Sequence, residues 1–131
     1  MNQPPINSKR QASPPGPVLR TFFNICQVWR LNNSDAQILL GISADSTFYH
    51  WKKHPERANL SKDTIERISY VFGIYKALQI LLPDVNIADQ WIHYPNNHPL
   101  FNGKKPVERM LSGQVADLYE VRRYLDAERG W

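Results

Sequence analysis

The side chains of this 131-residue chain best suited to bind a metal or act as a nucleophile are four histidines and one cysteine. Their spacing argues against both roles. His50 and His54 stand four apart, where two imidazoles on one helix face can share a metal. They flank Trp51, however, and no third ligand accompanies them. His93 and His98 fall on either side of a proline turn, in no recognised ligand motif. Cys26 has no histidine or acid arranged to activate it, so it reads as a small buried apolar residue. No glycine-rich loop is present to cradle a phosphate. The chain therefore reads as a non-enzyme without metal or cofactor.

Other residues suit contact rather than catalysis. Trp131 is the last residue, beside Gly130 and Arg129. An indole is costly to leave in water and makes a strong anchor in a partner's pocket. The alternative is that it folds back on its own helix. Trp91, Tyr94, Phe101 and Tyr119 are further aromatics of this half, mostly core, with one or two available to an interface. Arg122, Arg123 and Arg129 alternate with Glu120, Asp126 and Glu128, which suits a charged protein partner or a solvated face.

These residues need elements to hold them, and the apolar pattern supplies helices throughout. From Val18 a helical face carries Leu19, Phe22, Phe23 and Cys26, with either Ile25 or Trp29. A short helix follows over Asp35–Leu40, capped by Asn33 or Ser34. Gly41 ends it in left-handed geometry, and Ile42 plugs the turn. Ser43 or Asp45 caps the next helix, which Phe48 and Trp51 anchor from one side. This is the outline of a helix-turn-helix, whose second helix enters the major groove. Thr47, Tyr49 and His50 then face bases or phosphates, while Lys52, Lys53 and Arg57 hold the backbone.

A long helix is predicted over Asp63–Leu82, with Ile65, Ile68, Ser69, Phe72, Tyr75, Ala77, Leu78 and Leu81 on a wide apolar surface. Val85, Ala88, Trp91 and Ile92 make a short amphipathic helix before Pro95. Tyr94 to Gly103 is a turn region. Pro106 opens a helix that stops at Gly113, and the last helix runs from Gln114 to about Glu128. No strand pattern appears, so the fold class is all-α.

The whole-chain balance limits the partners. The formal charge is +4, compatible with nucleic acid but not diagnostic of it. Between Ser34 and Arg67 five basic residues meet five acidic ones, so one copy should bind DNA weakly and a dimer reading two half-sites would repair this. A single cysteine fits an intracellular, cytoplasmic protein. There is no membrane-spanning stretch and no signal peptide. Residues 1–17 hold five prolines and read as a flexible arm, available to DNA or merely solvated. Residues 18–62 form the helix-turn-helix and dimerisation region. One reading of residues 63–131 is an oligomerisation half of a transcriptional regulator.

A second reading comes from resemblance. The stretches Ala36-Gln-Ile-Leu-Leu-Gly-Ile-Ser43 with Trp51, Asp63-Thr-Ile-Glu-Arg-Ile68, Trp91-Ile-His-Tyr-Pro-Asn96 with Phe101-Asn-Gly103 and Pro106, and Leu111-Ser-Gly113 with Val121-Arg-Arg-Tyr-Leu125 resemble the Xre/MbcA/ParS-type antitoxins of RES-domain toxins. The helix-turn-helix part is generic, whereas the Trp-x-x-x-Pro-Asn…Asn-Gly-x-x-Pro…Gly arrangement is more specific. The resemblance implies an antitoxin that dimerises, represses its own operon, and uses residues 63–131 as a small helical toxin-binding domain. Its partner would consume NAD, and the antitoxin's C-terminal end would block the toxin's pocket. Carried onto this chain, the blocking element is Tyr124 to Trp131, with Arg129, Gly130 and Trp131 nearest the pocket. Asn96, Phe101, Asn102 and Gly103 shape the supporting loop, and Arg122 joins the toxin-contact set. The aromatic, arginine-poor reading helix and the proline arm depart from the pattern.

Overall fold

The computed structural model describes residues 13–130, and among these residues it has seven α-helices and no strand. The first helix, α1, spans Pro15–Val28 and so begins three residues before the predicted start. Pro15 and Pro17 lie in its first turn, where backbone N–H groups have no intrahelical partner and a proline loses nothing. Leu19, Phe22, Ile25, Cys26 and Trp29 are all buried, so Ile25 and Trp29 share the inner face rather than compete for it.

Helix α2 (Asn33–Leu40) is capped by Asn32, one residue before the predicted candidates. The Asp35 N–H donates to Asn32 Oδ1 at 2.8 Å, and the Asn32 N–H donates to Asp35 Oδ2 at 3.1 Å. This reciprocal pair satisfies two N–H groups of the helix start. Gly41 follows at φ +72°, the left-handed conformation expected of it. Helix α3 (Asp45–Lys53) then starts after Ala44 with no side-chain cap, correcting the expectation of Ser43 or Asp45. Asp45 instead accepts from Gln37 Nε2 at 3.0 Å, which ties α3 to α2. Phe48 and Trp51 are buried, and the Phe48 ring meets Phe23 of α1 edge-on at 5.9 Å. A 3₁₀ turn over Pro55–Arg57 packs back against α1.

The 20-residue helix α4 (Lys62–Leu81) is capped by Ser61, whose Oγ accepts from the Thr64 N–H at 3.1 Å. Thr64 is buried, and its hydroxyl donates to the Leu40 carbonyl at 3.0 Å. That bond satisfies a carbonyl that the end of α2 would otherwise leave unpaired. Ile68, Val71, Ile74, Ala77 and Leu78 form the buried face. Ile65 and Ser69 lie off it and are exposed, contrary to the wide apolar surface predicted, because the true stripe passes through Thr64 and Val71.

Helix α5 (Val85–Gln90) continues into a 3₁₀ turn, Trp91–His93. Ala88 and Ile92 face the core, but Val85 is exposed rather than buried. Pro106 is the first residue of α6 (Pro106–Met110), and α7 spans Val115–Glu128. Helix α7 lies along α4 in the most extensive helix pairing of the fold, burying Leu118, Val121 and Leu125. One continuous apolar cluster runs from Leu19 to Leu125, so both halves share a core through α4.

Candidate nucleic-acid and partner-binding surfaces

The exposed side of α3 carries Tyr49, His50, Lys52 and Lys53, with Thr47 half-buried and Arg57 exposed on the following 3₁₀ turn. All six residues singled out by sequence thus lie on one helix and the turn after it. Their basic groups gather in the last turn of α3, where positive charge is favoured by the helix dipole. Asp45 and Ser46 stand at the start, the end that approaches base edges in this motif. Lys52 is already engaged. Its ammonium donates to Asn33 Oδ1 at 2.6 Å and sits 5.4 Å from the centre of the Phe23 ring. His50 and His54 have ring centres 5.5 Å apart, yet among the described residues no three histidine, cysteine or acidic groups converge to hold a metal.

The second surface is built on the loop between the 3₁₀ turn and α6. The Asn96 N–H donates to the Lys104 carbonyl at 3.0 Å, and the Gly103 N–H donates to the Asn96 carbonyl at 2.8 Å, which closes the loop at its base. Asn96 Oδ1 accepts from the His98 N–H at 2.9 Å. Asn102 and Gly103 turn the chain at φ +52° and +83°, consecutive left-handed positions that asparagine and glycine tolerate best. Phe101 is buried beneath the loop.

Phe101 sits in an aromatic platform whose hub is Tyr124 of α7. The Tyr124 ring stacks on Trp91 at 6.2 Å and an interplanar angle of 18°. It meets Phe101 edge-on at 5.5 Å and lies 4.5 Å from the His98 ring. Burial pushes the Tyr124 phenol above its ordinary value, the Glu128 carboxylate adds to this, and a side-chain hydrogen bond with Asn96 opposes it. A groove of about 220 Å³ opens beside the platform, between Leu78, Leu81 and Leu82 on one side and Trp91, Tyr124 and Leu125 on the other.

The remaining C-terminal residues divide. Arg122 reaches across to α4: its Nη1 donates to the Ser69 carbonyl at 3.3 Å. Arg129 is folded against α7, 3.7 Å from Asp126, with its side chain only 10% exposed. Gly130 is exposed at φ +87°. Trp131 lies outside the described residues.

His98 is the platform member that sequence reasoning set aside, because a histidine in a proline turn carries no signal of the ring it will meet. His93 has a different task. Its Nε2 donates to the Trp29 carbonyl at 2.6 Å, joining the start of the C-terminal half to the end of α1. Cys26 is buried, and burial raises its thiol to about 12, which leaves it un-ionised and inert.

Two family models match the chain in sequence. Residues 10–73 match the antitoxin Xre-like helix-turn-helix domain. Residues 77–130 match the antitoxin Xre/MbcA/ParS C-terminal toxin-binding domain. A relative from Sinorhizobium fredii (strain NBRC 101917 / NGR234), named uncharacterized protein y4oB, is 46% identical over 112 residues, covering 86% of this chain and 84% of that protein. The two matched regions meet within α4. Neither family is an enzyme family.

Proposed function

The chain belongs to the Xre/MbcA/ParS-type antitoxins, and from that premise we propose that it neutralises an NAD-consuming RES-domain toxin by blocking its pocket. The observation that carries this reading is the aromatic platform. Tyr124 of α7 is fixed against Trp91, His98 and Phe101, so the end of α7 and the Asn96–Gly103 loop form one rigid surface. A rigid surface loses little freedom on binding. In this proposal the residues after Glu128, with Gly130 as the turn and Trp131 as the anchor, enter the toxin pocket from that base. The deciding experiment is co-expression with the neighbouring toxin reading frame. The full chain should protect cells and co-purify with the toxin. A chain ending at Glu128 should fold to the same helical content but protect poorly. Full protection by that truncated chain would exclude pocket blocking by the C-terminal end.

The proposal extends to autorepression. A homodimer would place two α3 helices on the operator, with Tyr49 and His50 toward the bases and Lys53 and Arg57 on phosphates. Lys52, held by Asn33, would support α3 more than it grips DNA. A plain regulator with an oligomerising C-terminal half is the competing reading, and it predicts operator binding with no toxin partner. No helix among the described residues is long and apolar enough to cross a membrane.

A further inference from the structure

Gly73 sits in the interior of α4, where glycine weakens a helix relative to alanine. Its neighbour supplies a steric reason. A Cβ at this position would fall 2.4 Å from both Cζ and Nε of Arg122 and 2.6 Å from its Cδ, far inside contact distance. The guanidinium of Arg122 occupies the space that any other residue would fill. There Nη1 donates to the Ser69 carbonyl of α4 at 3.3 Å, and Nε donates to Asp126 Oδ2 of its own helix at 3.4 Å.

The position of Arg122 on α7 gives this seat a consequence. The buried stripe of α7 runs through Leu118, Val121 and Leu125. Successive residues turn about 100° around a helix, so Arg122 lies on one flank of that stripe and Tyr124 on the other. A roll of α7 on α4 lowers one flank and lifts the other. We propose that Arg122 is a positioning residue: seated over Gly73, it sets the roll of α7 and so holds Tyr124 in the aromatic platform. Sequence reasoning placed Arg122 among the toxin contacts; this role removes it from that set. A second glycine, Gly41, also faces an arginine, although its φ of +72° already calls for glycine. A Cβ on Gly41 would lie 2.5 Å from Nε of Arg67, which projects from α4 and pairs with Asp63. The effect on toxin binding rests on the function proposed above, whereas the effect on Tyr124 does not.

The test compares Gly73→Ala, Arg122→Ala, Arg122→Lys and the Gly73→Ala/Arg122→Ala pair in the full chain. Thermal midpoint, near-ultraviolet circular dichroism and affinity for the neighbouring toxin are measured for each. Gly73→Ala must push the flexible end of Arg122 off its seat, so it should change the near-ultraviolet signal and weaken toxin binding as Arg122→Ala does. Adding Arg122→Ala to it should change the spectrum and the affinity little further, a non-additivity that independent sites do not give. Arg122→Lys keeps the charge but loses the planar fork. It should alter the near-ultraviolet signal and weaken toxin binding about tenfold, as Arg122→Ala does. A Gly73→Ala protein with an unchanged spectrum would overturn the proposal. So would an Arg122→Lys protein with parental toxin affinity beside an Arg122→Ala protein that loses it without spectral change, since that marks a simple charge contact. If Gly73→Ala fails to fold, the two Arg122 variants decide by their spectra. If the cycle and spectra come out as expected but the parent binds no toxin, the proposed function fails and the positioning role stands.

Discussion

Tyr124 shows how one side chain acquires a role from its surroundings. Its ring contacts Trp91, Phe101 and His98 together, and aromatic pairs contribute beyond the area they bury. Replacing Tyr124 with alanine should therefore cost about 1–3 kcal/mol in urea unfolding. Phenylalanine should restore most of it. Alkaline pH separates these variants further. Burial, then Glu128, holds the Tyr124 phenol above its ordinary 10.0, so the folded state keeps this proton more tightly than the unfolded chain. The stabilisation is intact below pH 10 and is lost as pH rises through the higher folded value. The urea midpoint of the parent should fall over that range more steeply than that of Tyr124→Phe. Cys26 offers a second check at this scale. Its thiol is buried and raised from 9.0 to about 12, so native labelling by a disulfide reagent at pH 8 should run much slower than in urea. Fast native labelling would mean that α1 opens locally.

At the scale of elements, the turn between α2 and α3 depends on two sites of different kinds. Asn32 caps α2 through a reciprocal bond pair, and Asn32→Ala should cost about 1 kcal/mol. Gly41 adopts φ +72° and faces the Arg67 side chain. Alanine there meets both backbone strain and a collision, so Gly41→Ala should cost about 1–3 kcal/mol. If Gly41→Ala proved neutral, the turn would have an alternative geometry. Helix α3 tests the DNA proposal at the same scale. Tyr49→Ala with His50→Ala should weaken the operator shift. Lys53→Ala and Arg57→Ala should each reduce the salt slope of binding by about 1 if each holds one phosphate. A slope unchanged in both would move the DNA surface elsewhere.

The whole molecule is a pair of binding regions that share one core. Family matches end at 73 and resume at 77, both within α4. The core cluster continues across that point without a break. Polar ties reinforce it: His93 reaches the end of α1, and Arg122 reaches Ser69 on α4. The two regions should therefore unfold together rather than in sequence. A single calorimetric transition, with matching calorimetric and van't Hoff enthalpies, is the expected result. Two resolved transitions would show that α4 is a linker and not a shared beam.

Sequence alone determined the all-helical class, the left-handed Gly41, the buried anchors Phe48 and Trp51, and Pro106 as a helix start. Each follows from a local rule: glycine's freedom at positive φ, the 3.6-residue repeat, and the missing N–H of proline. The motif of the C-terminal half also carried the family resemblance without coordinates. Local rules failed where neighbouring residues compete on nearly equal terms. Asn32 took the cap from Asn33 and Ser34, and Ile65 rotated off the inner face. Tertiary structure decided everything that joins distant parts of the chain. His98 meets Tyr124, Lys52 turns to Asn33, and Arg122 settles over a glycine 49 positions earlier. A helix repeat specifies which face is apolar. It does not specify which helix will lie on that face or which polar side chain the contact will trap, because those follow from how α4 and α7 close on one another.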